Sequence, residues 1–465
     1  MVKRRHNGKP SSHHQSGSAR HQQSVSKDRK DKPLAKKTLA IPSSLPRHPK
    51  GRARHLAAWC VEQVLFDHRA LLTLWPLIDK EQADRALIRS IVFATLRHLG
   101  QLRALLASRL KTPLSYGNRA TEARLLTALA ELFYLDNSPR PMVVTSAVDS
   151  APSPLKNMVN AVLRRTAEEE DDSRALLNKT NALPAWLRER WVKCYGKTIT
   201  NAMVEMFQNI PPLDLTLLND ADGGGSIAPW SLRVDSGGNP YDVPVFPKGQ
   251  AIVQDLAASL PIAMLGTIKG MRVLDLCAAP GGKTMQLATA GADVTAVDNS
   301  AQRLTRLNDN LKRTQLHAKV IHADALAYQD SQGFDIVVLD APCAATGTIR
   351  RHPDIPFLRK AKTMLSYVEL QGRMLDMAVD LVKPGGRLLY AVCSLEPEEC
   401  EQQISAFLMR KAGVRRAKQL APPPLGLEMT RTKAGFLRTL PSMCAEQGGM
   451  DGFFAAVLEK SYEQP

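Results

Sequence analysis

Two patterns of apolar residues divide the chain. Between residues 51 and 165 they recur at helical spacing. Leu56, Cys60 and Val64 fall at i, i+4 and i+8, with Ala57, Val61 and Leu65 beside them. Ile88, Val92, Leu96 and Leu99 form a second stripe, ringed by Arg85, Arg89, Arg97 and Arg103. ARLLTALAELFYL (123–135) and KNMVNAVLRR (156–165) complete the set. Helices of similar size joined by short connections predict a compact all-α bundle. From residue 251 the pattern changes to RVLDLC (272–277), DVTAVD (293–298), AKVIHAD (318–324), FDIVVLD (334–340) and GRLLYAV (386–392). These runs are short and rich in Val, Ile and Leu, and helical stretches at 282–290, 300–313, 359–382 and 396–411 fill the gaps. Buried strands alternating with helices predict an α/β, Rossmann-like domain with a doubly wound, mostly parallel sheet. Ligands of such sheets bind beyond the carboxyl ends of the strands, so the last residues of each strand are the ones to read.

Four segments follow: a basic tail at 1–50, a helical domain at 51–170, a small connecting α+β subdomain at 171–250 and the α/β domain at 251–462. EEEDD (168–172) reads as a surface linker or helix end. The connecting segment combines the helix-like PAWLRERWVKCYG with the apolar PPLDLTLL and a loop, DGGGS, at 222–226. Charge sharpens this division. The chain has 465 residues and a net charge of +17, and residues 1–50 hold 13 Lys/Arg against 2 Asp/Glu. That tail has almost no apolar residues, so disorder is expected, and it suits electrostatic holding of a polyanion such as RNA. No run of 18 apolar residues predicts a membrane span. The seven cysteines include no C-x-x-C pair. A zinc site is therefore not expected, and free thiols in a reducing, cytoplasmic setting fit best.

The stretch VLDLCAAPGGKTMQLA (273–288) ends like a phosphate-binding loop. G-x-x-x-x-G-K-[ST] would require glycine at 277, where Cys277 stands, and Pro280 cannot donate an N–H. What remains is a strand, a tight turn and a helix, the geometry of a nucleotide pocket without a triphosphate grip. Asp298, Asp324 and Asp340 end the next strands. Asp298 stands where an acid takes ribose hydroxyls, and Asp324 can accept from an adenine amino group. With no G-x-G-x-x-G, an adenosine-bearing cofactor here points to S-adenosylmethionine. Cys343, in DAPCAATGTIRRHPD (340–354), and Cys393, in YAVCSLEPEE (390–399), each follow a strand. A thiolate can add to C6 of a pyrimidine, making C5 able to attack a methyl sulfonium, and an acid can hold the ring nitrogens. On the residues alone, either thiol could be the nucleophile.

CAAPGGKT, DAPC and CS before a Glu-rich stretch closely resemble the RNA cytosine-C5 methyltransferases of the Sun family; VQDLAASL (253–260) and MDGFFAA (450–456) match too. DRALIRSIVFATLRHLGQL and MVNAVLRR resemble the NusB-like helical domain of its bacterial small-subunit ribosomal RNA branch. The resemblance spans about residues 51–460. It implies methylation of C5 of a cytosine in ribosomal RNA, probed against transfer RNA as substrate or a non-catalytic assembly factor. It implies that Cys277, Ala278, Ala279, Pro280, Gly281, Gly282, Lys283, Asp298, Asp324 and Asp340 bind S-adenosylmethionine, Asp340 also serving the target base. Cys393 is the implied nucleophile and Cys343 the thiol that aids product release. Arg350 and Arg351 resemble a loop that touches RNA. A monomer with no metal is expected. Two departures stand out. Val392 replaces the usual Thr before the nucleophile and lacks its hydroxyl, and PPLDLTLL lacks the Arg and Asn of PPxxLRVN.

Overall fold

The apolar stripes turn inward. In the computed structural model, which describes residues 41, 49–81, 83–136, 139–218, 226–234 and 238–462, Leu56, Cys60 and Val64 of helix Pro49–Asp67 are buried. So are Ile88, Val92 and Leu96 of helix Arg85–Arg97. Asp84 caps this second helix, accepting from the Leu87 amide at 2.9 Å and so satisfying one otherwise orphaned N–H. Helix Arg119–Tyr134 packs on both, adding Leu125, Leu126 and Leu129 to the core. Arg54 and Glu131 pair at 2.6 Å between the first and third of these helices. The acidic run at 168–172 spans the junction of helices Lys156–Glu168 and Glu170–Lys179, where Arg109 and Arg165 bind Glu169. The expected disorder of the tail and nearly all of DGGGS lie outside the described residues.

PPLDLTLL forms β1 (Leu213–Leu217), the centre of a three-stranded antiparallel sheet with β2 (Ser231–Val234) and β3 (Ala251–Val253). The remaining strands are β4 (Arg272–Leu276), β5 (Asp293–Asp298), β6 (Lys319–His322), β7 (Phe334–Asp340), β8 (Val382–Val392), β9 (Val414–Arg416), β10 (Leu437–Thr439) and β11 (Phe453–Lys460). They form one sheet in the order β10-β11-β8-β7-β4-β5-β6, with β9 also on β11. Strands β4 to β8 are parallel. Their side chains alternate between two cores: Val337 and Leu339 enter one, Ile336 and Val338 the other. Helices cover both faces, which accounts for the unbroken apolar runs.

The last three strands are antiparallel and went unread in the hydrophobic pattern: two span only three residues, too few for a periodic signal. Among them β11 lies directly on β8, with Phe454 opposite Val392. The chain after β7 also reaches the helical half. Asp354 accepts from the Leu71 amide at 2.9 Å, and Arg97 donates to the Arg350 carbonyl at 3.0 Å. Among the described residues, no helix is long and apolar enough to cross a membrane.

Candidate active site

The turn after β4 is built by backbone geometry. Cys277 takes a left-handed conformation (φ 61°), and the Ala279–Pro280 bond is cis. Gly281 has φ 106° and caps helix Gly282–Thr289. A side chain there would be strained in that conformation and would press on Leu307. Burial pushes the Cys277 thiol up to about 12, so it remains protonated. The helix then returns two side chains to the strand ends. Thr284 donates to Asp275 at 2.6 Å, and Lys283 pairs with Asp340 at 2.7 Å while lying over the Phe453 ring. Burial pushes Asp275 up to about 7. Asp298 is buried at the end of β5, where its carboxylate accepts from the Ala279 and Ser300 amides at 3.2 and 2.9 Å. It thereby ties the turn to the second strand. Asp324 stands exposed beyond β6, and its side chain caps a short turn at Leu326.

Strand register brings the thiols together. Asp340 lies opposite Ala391 in the parallel β7–β8 pair, and the Ala341 amide donates to the Ala391 carbonyl at 2.9 Å. Cys343 follows one strand end and Cys393 the other, and their Sγ atoms lie 3.5 Å apart. Cys343 is buried; Cys393 is half-buried. The Cys393 hydrogen bond, burial and the neighbouring Cys393 and Glu399 charges hold the Cys343 thiol well above its ordinary value. Backbone bonds extend the arrangement: the Gly347 amide donates to the Cys393 carbonyl at 3.1 Å, and the Gly452 amide to the Gly347 carbonyl at 2.8 Å.

Comparison with known proteins agrees with this geometry. Residues 262–459 match the model of the 16S rRNA methyltransferase RsmB/F family, and residues 52–168 that of the NusB family. The chain is 35% identical over 440 residues to Ribosomal RNA small subunit methyltransferase B of Citrobacter koseri, covering 88% of this chain and 99% of that one. The chain belongs to the small-subunit rRNA methyltransferase B family. Two solved structures share its fold. PH0851 has a TM-score of 0.67 at 23% identity and covers 91% of this chain and 100% of its own. NSun6 from Pyrococcus horikoshii, crystallised with SFG, has a TM-score of 0.50 at 18% identity and covers 61% of this chain and 100% of its own.

In this member of the methyltransferase B family, residues 277–283, Asp298, Asp340, Cys343 and Cys393 sit at neighbouring strand ends, with Asp324 at their outer margin. The arginines are a correction. Arg350 is 1% exposed, and its guanidinium donates to Asp451, Asp255 and the Gly448 carbonyl at 2.9, 3.2 and 2.6 Å. Arg351 binds Asp255 at 2.6 Å, Asp451 at 3.3 Å and the Pro212 carbonyl at 3.1 Å. The Arg350 guanidinium is enclosed and committed to carboxylates, so it fastens the fold and presents no phosphate-binding surface, whereas Arg351 is half-buried and borders an open cleft while pairing with the same carboxylates. Burial raises Asp255, but Arg351 and Arg350 outweigh it and hold the carboxyl well below the usual range. Sequence reasoning missed Asp255 and Asp451 as partners, although both lie in the matched VQD and MDG motifs. It also missed Glu399, fully buried in the Glu-rich stretch after Cys393. Among the described residues, no group of three or more His, Cys, Asp or Glu is arranged to hold a metal ion.

Proposed function

We propose that this chain transfers a methyl group from S-adenosylmethionine to C5 of a cytosine in 16S ribosomal RNA, with Cys393 as nucleophile and Cys343 as the releasing thiol. One observation carries the reading: two thiols 3.5 Å apart, of which Cys393 is the more accessible. The residues fit the cofactor. Carboxylates and a glycine-bearing turn line the ends of β4 and β5, as an adenosine group requires. When bound, the cofactor supplies an electrophilic methyl on a sulfonium. Asp298 is the proposed ribose ligand, Asp324 the adenine partner, and the turn from Cys277 to Lys283 the cradle.

The Cys393 thiolate adds to C6, and the electron pair moved to C5 takes the methyl group. Once Cys393 is bonded to C6 its charge no longer holds the Cys343 proton, so Cys343 can pass that proton to solvent and, as a thiolate, receive the C5 proton as the C6–sulfur bond breaks, which restores the ring and the Cys393 thiolate. Asp340, held by Lys283, faces the target base. The base must leave its stack for the thiol to reach it. The division at residues 50, 170 and 250 assigns RNA holding to the basic tail and the NusB-like helices. A cleft of about 1020 Å³ between the helical part, with Arg89, Phe93 and Arg97, and the connecting segment, with Asn209 and Pro212, and bordered by Arg351, supports RNA holding on this face. A monomer in a cytoplasmic setting is part of this reading, and the free thiols support the setting.

The test uses stripped ribosomal RNA and cofactor labelled in the methyl group. Wild type should label cytosine C5, Cys393→Ala should form no protein–RNA adduct, and Cys343→Ala should accumulate one. A stable adduct with Cys393→Ala would reverse the two roles.

A further inference from the structure

The acidic run after Cys393 contains two fully buried glutamates with different surroundings. Glu396 binds Arg190 and accepts from the Trp191 ring N–H at 3.0 Å. Glu399 has only neutral donors. One carboxyl oxygen accepts from the Ala344 amide at 2.9 Å and from the Gln371 side chain at 3.0 Å. The other accepts from the Ser394 hydroxyl. Ala344 follows Cys343, and Ser394 follows Cys393. The same carboxylate therefore holds the residue after each thiol. Gln371 also donates to the Pro342 carbonyl at 2.9 Å, so the Cys343 loop is held on both sides of its thiol.

We propose that Glu399 is a positioning residue that sets the distance between the two thiols. This rests on the thiol reading given above. Cys393 directly follows β8, so strand pairing fixes it. Cys343 stands beyond Ala341 and Pro342, and needs a tie of its own to stay within reach. Glu399 supplies that tie. Its uncompensated carboxyl also favours the neutral form of Cys343, whose S–H can then donate to the Cys393 sulfur. A cation in place of Gln371 would favour a second thiolate at the site.

The test measures kcat, both KM values and a ruler that needs no turnover. Diamide takes two hydrogens from a pair of thiols and leaves a disulfide, and the rate of the Cys343–Cys393 bond is followed by mass spectrometry of the full chain. Glu399→Ala should lower kcat by about 100-fold and slow the disulfide about tenfold, with both KM values within about twofold. Glu399→Gln keeps the shape and one acceptor oxygen, and should recover to within about tenfold of wild type in kcat. If Glu399→Ala does not fold, Glu399→Gln decides, with a drop of about threefold or more expected in both rates. A fall in kcat with an unchanged disulfide rate overturns the proposal, as do unchanged rates in the folded variants. Methylation surviving in Cys393→Ala would instead defeat the thiol reading, and the disulfide rate would still judge Glu399.

Discussion

Two sets of buried carboxyls are held on opposite principles. In the first, Asp214, Asp255 and Asp451 meet Arg233, Arg350 and Arg351. Each carboxylate has a guanidinium, and the six residues join β1, β2, the segment before helix Leu256–Ala263, the thiol loop and the approach to β11. In the second, Asp275 and Glu399 bond to hydroxyls and amides. Burial raises both of these carboxyls. Charge compensation holds Asp255 well below the usual range, whereas burial and the neighbouring Asp255 charge push Asp451 up to about 7, so the shared proton of this fastener is carried by Asp451. Without a guanidinium partner, burial pushes Asp275 up to about 7 and raises Glu399, which holds the residues that follow the two thiols.

The sharpest way to break the contrast is to remove a carboxylate from the compensated cluster. Asp255→Ala leaves two buried guanidiniums short of a partner and should cost about 3–5 kcal/mol in urea unfolding. A loss below about 1 kcal/mol would show that the cluster is not a fastener. Asp275→Asn tests the other cluster. Folding raises this carboxyl from its ordinary 3.8 to about 7, so the folded state holds its proton more tightly than the unfolded state does. Its favourable contribution is present in full below the ordinary value and is lost as pH rises through about 7. The Asn variant escapes that loss, and should be more stable than wild type by about 2–4 kcal/mol at pH 8 and equal to it near pH 4. A pH-independent difference would contradict the assignment.

Smaller effects sharpen the comparison. A Cβ on Gly347 would lie 1.8 Å from the Gly452 carbonyl oxygen. Gly347→Ala should cost about 1–3 kcal/mol in thermal unfolding and slow methyl transfer through the displaced Cys393 loop. The smallest change is expected at the exposed pair of Lys411 and Asp380, 2.9 Å apart with Asp380 67% exposed. Lys411→Ala should shift stability by no more than about 0.5 kcal/mol, because water already solvates both charges.

What could be read in the sequence follows the same division. The parallel strands and the NusB-like helices were legible, because burial on regular elements leaves a period. The strand-end aspartates and thiols were legible because a parallel sheet carries its strand ends to one edge. Arg350 and Arg351 were misread because arginines in a polar loop resemble a surface, while their carboxylates lie 95 and more residues away in the chain. Glu399 was hidden among neighbours of the same charge, since nothing in a run of glutamates tells which of them folds inward. Ranking Cys393 over Cys343 needed the family resemblance; the difference in accessibility that supports it appears only once β7 and β8 are paired.

The amide chain from Gly452 through Gly347 to Cys393 has a consequence for synthesis. A ribosome that has made every residue named in the chemistry has still not delivered Asp451, Gly452 or the strand that covers the flank of β8. Until that last portion emerges, the nascent polypeptide carries its reactive sulfur beside an unpaired strand edge. Competence for methyl transfer therefore arrives only once β11 has been made, and a chain stopped short of it should be both inactive and prone to self-association.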